Sequence, residues 1–268
     1  MKSLPPLPAI AEWVETRDAL HAYSKVLGAI RESALPPHPR WWHVSLHLDG
    51  GRLTTGELPN PAADEAVVLT LDPADGRVEA RAAGTLVVGI DLSRGPSATE
   101  LGAELLGHLR GRAMTVEPAA ERWQNGEPRR IEPVAARRWV DAVTAVAGQF
   151  EEVRGESPRD ASPVQLWPHH FDLSCELFGD RRVPDGEGGE AASQIGFGFS
   201  TGDSTHGDAY FYANPWPFDE RLTGTDLPGT ARWVEAPWQG SLMPYGGASA
   251  ADLRTYLSAV VDAADPYL

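Results

Sequence analysis

The chain has 268 residues, of which 42% are hydrophobic and 23% are charged. This balance is typical of a folded, soluble protein and excludes intrinsic disorder, and the collagen and heptad periods are absent. Basic residues number 23 and acidic residues 38, which gives a formal net charge of −15. Because so negative a surface repels phosphate backbones and anionic lipids, we expect neither a nucleic acid nor a membrane as partner.

The cysteine content and the length of the apolar runs indicate the cellular compartment of the protein. The single cysteine, Cys175, excludes an internal disulfide and a zinc site made of several thiolates. No stretch approaches the roughly 18 apolar residues of a membrane span. The first residues also lack an apolar core of signal-peptide length. These features predict a cytoplasmic location.

The first half of the sequence predicts a helix, several short strands and a second helix. Apolar residues recur at helical spacing over residues 11–33, between two groups of prolines. Alternation of period two predicts a strand over residues 41–48. Turn residues then separate the remaining elements of this half, which are strands at 52–58, 67–71, 77–82 and 85–91 and a helix at 99–112.

The second half repeats this order of elements. A helix is predicted over 139–153, a strand over 164–178 with a break at Pro168, and a closing helix over 249–264. Further strands are predicted at 194–200, 209–213, 231–238 and 240–244.

We therefore predict an α+β protein of two tandem helix–antiparallel sheet–helix units, an internal duplication packed as one compact body. The predicted domains are residues 1–116 and 134–268, joined by a linker rich in Pro, Glu and Arg at 117–133. A groove at the junction of two such units is a natural place for a ligand.

Polar residues at alternating positions of two strands suggest the chemistry. Alternation places His43 on the polar side of the first strand, and His170 and Asp172 on that of the second. Aligning the apolar sides sets His43 against His170. Asp172 would orient an imidazole by accepting its ring proton, which makes the imidazole a general base near neutral pH. We therefore predict His43, His170 and Asp172 as catalytic residues.

A metal-assisted version of this site uses the same side chains. Residues two apart on one side of a strand lie about 7 Å apart, so His170 and Asp172 could both bind a divalent metal ion. The chain lacks the glycine fingerprints of dinucleotide and nucleoside triphosphate sites, and we expect no nucleotide cofactor. A third metal ligand would come from His43, Glu176, Asp203, His206 or Asp208.

The walls of the site are predicted to be aromatic. Trp42, Trp167 and Tyr212 are the residues expected to contact the ligand, together with Tyr245. The alternative for such residues is that they belong to the core.

Several motifs resemble a known family. The segments Trp41-Trp42-His43-Val44 and Gly51-Arg52-Leu53-Thr54-Thr55, with Phe171-Asp172-Leu173 and Leu242-Met243-Pro244-Tyr245, are spread over nearly the whole chain. They resemble a bacterial family catalogued as domain of unknown function 5996. The resemblance implies no activity, but it adds His21 and Arg31 to the predicted ligand-binding residues. A solvated helix face is the alternative for these two.

These features together predict a small-molecule enzyme with a His/Asp site between the two halves, with or without a metal ion. The alternative is a non-catalytic module that binds a small ligand or serves assembly. The partner that we expect is a small molecule.

Overall fold

The computed structural model describes residues 3–186, 188–203 and 205–268. Met1 and Lys2, at the start of the first predicted domain, lie outside this range. The structure is α+β, as predicted, with helices at Ile10–Ala34 (α1), Ala98–Gly111 (α2), Pro133–Glu156 (α3) and Ala250–Ala264 (α4). The strands form antiparallel sheets and are His47–Asp49 (β1), Arg52–Thr54 (β2), Leu58–Asn60 (β3), Glu65–Asp72 (β4), Arg77–Ala82 (β5), Thr85–Asp91 (β6), Gln165–Trp167 (β7), Asp172–Pro184 (β8), Glu190–Ser200 (β9), Tyr210–Trp216 (β10), Arg232–Val234 (β11) and Gly240–Pro244 (β12).

The chain divides into two compact units. The α1 unit contains residues 11–144 and 165–171, and the α4 unit contains residues 1–10, 145–164 and 172–268. This division falls inside α3, whereas the sequence analysis placed a linker at 117–133. Residues of that segment pack within the α1 unit, where the side chain of Trp123 is buried.

In the α1 unit, the first sheet runs in the order β1-β2-β4-β5-β6, and β3 also pairs with β4. The hairpin β4–β5 sets Leu69 beside Ala80 and Leu71 beside Val78, and all four side chains are buried. Helix α1 buries an apolar stripe in the same unit, and α2 begins at a capping box in which Ser97 and Glu100 bond each other's backbone N–H. Hydrophobic periodicity and cap chemistry account for these elements.

In the α4 unit, five strands of the second sheet lie side by side in the order β11-β12-β10-β9-β8. Their register places Cys175 beside Phe197, and Phe199 beside Phe211. These side chains are buried, as is the inward stripe of α4 with Leu253 and Val260. The opposite face of the sheet carries polar residues, because side chains alternate along each strand.

The strand predicted over 41–48 is wrong for most of its length. Trp42–Val44 form a 3₁₀ turn, and β1 begins only at His47. Trp41 adopts a left-handed backbone conformation with φ 59°, which ends any extended run. The guanidinium of Arg31 donates a hydrogen bond of 3.3 Å to the carbonyl of Trp42 and stabilises the turn. Because Arg31 belongs to α1, the alternation of apolar and polar residues within 41–48 does not reveal this contact.

The break predicted at Pro168 is confirmed. Residues Pro168 to Phe171 form a turn between β7 and β8, with φ 58° at Phe171. His170 lies in this turn and His43 in the 3₁₀ turn, so neither belongs to a strand. The strand alignment that set them opposite each other is therefore absent.

No helix within the described ranges has both the length and the apolar character that crossing a membrane requires.

Candidate functional site

A cavity of about 250 Å³ lies along one face of α1 in the α1 unit. We call it the α1 cavity. A second, smaller cavity of about 50 Å³ shares Lys25 and Arg122 with it. The residues that line the α1 cavity are Asp18, His21, Ala22, Lys25, Glu121, Arg122, Trp123, Gln124, Asn125 and Arg129.

Helix α1 contributes one wall through residues spaced three and four apart. His21 and Lys25 are one turn apart and therefore share a face, with Gly28 on the next turn. A Cβ atom at Gly28 would lie 2.7 Å from Cγ of Pro168. The missing side chain thus lets the turn after β7 approach the helix closely, and this turn carries His169 to the smaller cavity.

The opposite wall is an irregular segment held against the start of α2. The N–H of Thr99 donates to the carbonyl of Asn125 at 3.1 Å, and the N–H of Arg129 donates to that of Gly95 at 3.2 Å. The ring of Trp123 packs on Gly102, where a Cβ atom would come within 2.1 Å of the indole. Because the backbone is fixed at these points, the side chains of Trp123 and Arg129 have defined places in the wall.

His21 is a neutral histidine in this cavity. Its Nε2 lies 3.3 Å from the carbonyl oxygen of His169, and its ring stacks on Phe171 with centroids 5.5 Å apart. A carbonyl oxygen can only accept, so His21 is the donor in this contact. Burial, assisted by the charge of Lys25, lowers the pKa of His21 to about 4. Near neutral pH, the ring of His21 is therefore uncharged.

Lys25 is a cation without a counterion. No hydrogen bond or ion pair joins its amine to any other residue that the structure describes, and its side chain is half-buried. Burial lowers the pKa of Lys25, and the positive charge of Arg129 lowers it further. The amine is therefore held in a site that disfavours its own charge.

The two arginines of the cavity each have a carboxylate within ion-pair distance. Arg129 is only 14% exposed, its nearest carboxylate is that of Glu127 at 3.5 Å, and its Nε has no hydrogen-bond partner in the described structure. Arg122 lies 3.4 Å from Glu32 at the rim. Asp18 is paired with Arg17 at 2.8 Å. Three of the lining residues are thus basic and two, Asp18 and Glu121, are acidic, and Lys25 is the cation among them that forms no ion pair with another described residue.

A comparison with family models gives one match, over residues 4–256 of the 268, to a family of unknown function, DUF5996. The chain belongs to the DUF5996 family. The resemblance noted in the sequence is thus confirmed. Neither the curated proteins nor the solved structures contain a match to this DUF5996 chain.

Three predicted site residues of this DUF5996 member lie around the 3₁₀ turn. His43 is buried, and its Nδ1 accepts a hydrogen bond of 3.1 Å from the N–H of His38. Trp42 stacks on the ring of His38 with centroids 4.6 Å apart. Arg31 is buried and donates to the carbonyls of Thr55 and Trp42. These contacts connect α1, the 3₁₀ turn and the β2–β3 connection, and both His43 and Arg31 take part in them.

The other predicted residues are distributed over both units. His170 is exposed in the turn, and Trp167 at the end of β7 packs its ring edge-on against His169. In the α4 unit, the carboxylate of Asp172 accepts a hydrogen bond from the hydroxyl of Tyr212. Tyr245 donates to the carbonyl of Pro5. The catalytic roles assigned to His43, His170 and Asp172 stay predictions.

The polar face of the second sheet continues the Tyr212–Asp172 pair. Tyr210 donates to Oδ2 of Asp203 at 2.6 Å, and His206 packs against Tyr210 with ring centroids 4.9 Å apart. Asp203 also accepts the N–H of His206 at 2.8 Å. We call these five side chains the tyrosine face. In the part of the chain that is described, no three His, Cys, Asp or Glu side chains converge as metal ligands would.

Of the residues that line the α1 cavity, His21 was predicted from the sequence as a ligand-binding residue, whereas Lys25, Arg122 and Arg129 were not. Lys25 and His21 share the i, i+4 spacing of one helix face, and Lys25 is one of only two lysines among 23 basic residues. Those two signals could have selected Lys25. Arg122 and Arg129 lie about a hundred residues further along the chain, and only the tertiary fold brings them to the cavity.

Proposed function

We propose that this protein binds a small anionic molecule in the α1 cavity. The observation that supports the proposal is the convergence of Lys25, Arg122 and Arg129 on one cavity, with the Lys25 amine unpaired among the described residues. The enzyme and the ligand-binding module predicted from the sequence both require a small-molecule site, whereas an assembly module does not. The α1 cavity is the place where unused charge and available volume coincide.

Electrostatics favours an anion over a neutral ligand. Removing a cation from water without a partner is costly, and placing Lys25 near Arg129 adds repulsion. A bound carboxylate or phosphate group would relieve both effects at once. The net charge of −15 makes this cluster a local exception and not part of a generally basic surface.

The size and shape of the cavity limit the ligand. Drug-sized molecules occupy pockets of roughly 300–1,000 Å³, so a cavity of about 250 Å³ suits a smaller compound. Trp123 provides an apolar surface, and the guanidinium of Arg129 provides a planar pair of donors suited to a carboxylate or phosphate. A small organic acid or a phosphorylated small molecule has this combination of features.

Binding of simple anions by the whole protein tests the proposal. Inorganic phosphate, sulfate, succinate and glyoxylate serve as probes in thermal-shift and calorimetric titrations of the wild type, Lys25→Met and Arg129→Met. We expect at least one probe to bind the wild type and each substitution to weaken it by about tenfold or more, since charge-assisted contacts contribute about 1.5–3 kcal/mol.

Arg137→Met is the matched control, because Arg137 is exposed on α3 and does not line the cavity. It should bind the probe like the wild type. Lack of binding of all four probes to the wild type would overturn the proposal. Equal binding by the wild type and both cavity variants would do the same.

A further inference from the structure

We propose that the ligand of the α1 cavity is an anionic carbonyl compound and that Lys25 binds it covalently as an imine. This inference rests on the proposed function and specifies its substrate class. Its geometric basis is the position of Lys25, which lines the α1 cavity and the smaller cavity beside it. Lys25 therefore borders the space in which a ligand would lie.

The use of lysine at this position is the first argument. The chain contains only Lys2 and Lys25, and all its other basic residues are arginines. An arginine would supply the positive charge equally well and would bind a carboxylate or phosphate better. What an amine can do and a guanidinium cannot is lose its proton and attack a carbonyl carbon. One of the two exceptions to the arginine preference thus lines the cavity.

The surroundings of the amine are the second argument. Lys25 has no carboxylate partner among the described residues that would hold its proton in an ion pair. Burial and the nearby Arg129 lower its pKa, which increases the fraction of neutral amine. Desolvation next to another cation is a known way to activate a lysine nucleophile. All three conditions favour the nucleophilic form.

The remaining cavity residues suit the other end of the substrate. Arg129 and Arg122 would bind its anionic group, while the neutral His21, one turn from Lys25, would accept a hydrogen bond from the amine at its unprotonated ring nitrogen. His21 would act as a positioning residue that directs the nitrogen lone pair of Lys25 into the cavity. Trp123 would cover the carbon skeleton.

The reaction conserves atoms and charge without a redox partner. The ammonium of Lys25 loses a proton to solvent, and its nitrogen adds to the carbonyl carbon as the C=O π bond opens. The resulting carbinolamine takes up one proton, its C–O bond breaks, and water leaves. One ammonium and one carbonyl thus give one protonated imine and one water. The imine then withdraws electrons from the carbon next to it.

Borohydride trapping tests the inference on the full-length protein. The protein is incubated with glyoxylate and sodium cyanoborohydride, which reduces an imine to a stable secondary amine, and the labelled residues are mapped by mass spectrometry. We expect Lys25 to be labelled about tenfold or more faster than Lys2, because a charge-assisted contact between the glyoxylate carboxylate and a cavity arginine contributes about 1.5 kcal/mol or more, which corresponds to about tenfold. Acetaldehyde, which has the carbonyl but no charge, should show a smaller preference for Lys25.

Lys25→Arg separates the inference from the proposed function, because it keeps the charge but cannot form an imine. We expect this variant to bind phosphate or succinate and to lose all labelling except that at Lys2 and the terminal amine. Lys25 labelling no faster than that of Lys2 in the wild type overturns the imine, while anion binding by the same sample leaves the proposed function intact. If anion binding is also absent, both fail. His21→Gln adds a second readout, a slower trapping rate at Lys25 than in the wild type.

Discussion

Two regions of this protein differ in how their buried and half-buried polar groups are paired. On the tyrosine face of the α4 unit, Asp172 accepts from Tyr212, and Asp203 accepts from Tyr210 and from the backbone of His206. In the α1 cavity, by contrast, the Lys25 amine has no such contact among the described residues. Buried polar groups are usually hydrogen-bonded within the protein, so a partly buried charge without a protein partner is a candidate for binding a ligand.

Local packing supports this distinction. On the tyrosine face, the ring of Tyr212 lies on Gly198, where a Cβ atom would come within 1.9 Å of the ring, so little space remains for a ligand there. In the α1 unit, the small residue Gly102 has the opposite consequence, because it seats Trp123 and thereby shapes a wall of the cavity. We therefore expect a ligand in the α1 cavity and not on the tyrosine face.

The largest effect concerns the neutral His21. Its folded pKa of about 4 lies below the value of 6.5 for an exposed histidine, so protonation favours the unfolded chain. Its contribution to stability is constant above pH 6.5 and is lost as the pH falls towards 4, by about 3 kcal/mol. Urea unfolding of the wild type and His21→Gln at pH 7 and pH 4 measures this, and the variant should lose about that much less. Parallel losses in the two proteins would mean that His21 is not buried as a neutral ring.

The next effect compares a tyrosine hydroxyl in each unit. Tyr212→Phe removes the donor to the buried carboxylate of Asp172 and should lower the free energy of unfolding by about 2 kcal/mol. Tyr23→Phe is the matched control, because Tyr23 is fully buried and donates to a neutral acceptor, the carbonyl of Pro96, at 2.7 Å. We expect it to cost about 1 kcal/mol. Urea denaturation measures both values, and an equal cost would show that the Asp172 carboxylate does not depend on Tyr212.

The elements predicted correctly from sequence share strong local signals. Helices α2 and α4 begin at Ser97 and Ser249, each three residues before an acidic side chain that completes a capping box. Strands β4 and β5 alternate between buried and more exposed residues around a Gly-containing turn. The segment 41–48 shows equally clear alternation but is mostly not a strand. There, the left-handed Trp41 and the bond from Arg31 to Trp42 override the local pattern.

The candidate site was less predictable than the fold for a related reason. Histidines and carboxylates were predicted as catalytic residues because their chemistry is recognisable in a sequence motif. Whether such a group is already bonded depends on distant residues, as with His43 and the N–H of His38, or Tyr212 and Asp172. The unpaired state of Lys25 is equally invisible in sequence. Only its rarity and its spacing from His21 pointed to it.

The smallest effect is the most direct test of the contrast between the two regions. Lys25→Met removes a desolvated cation near Arg129 and keeps an unbranched side chain of similar length. We therefore expect the free energy of unfolding at pH 7 to rise slightly, by about 0.5–1 kcal/mol. Since the pKa of Lys25 is lower in the folded protein than in the unfolded chain, the wild type should also gain stability relative to the variant as the pH rises towards 10.5.

Urea unfolding at pH 7 and pH 9.5 provides the measurement, with Arg137→Met as the exposed control that should change stability by less than about 0.5 kcal/mol. A loss of about 1 kcal/mol or more in Lys25→Met would mean that the amine stabilises the folded protein. Lys25 would then stabilise the fold, as the hydrogen-bonded pairs of the tyrosine face do. An external anion would not be needed to explain its position. A gain, together with weaker phosphate binding by the same variant, is the combination expected of a residue that serves binding at the expense of stability.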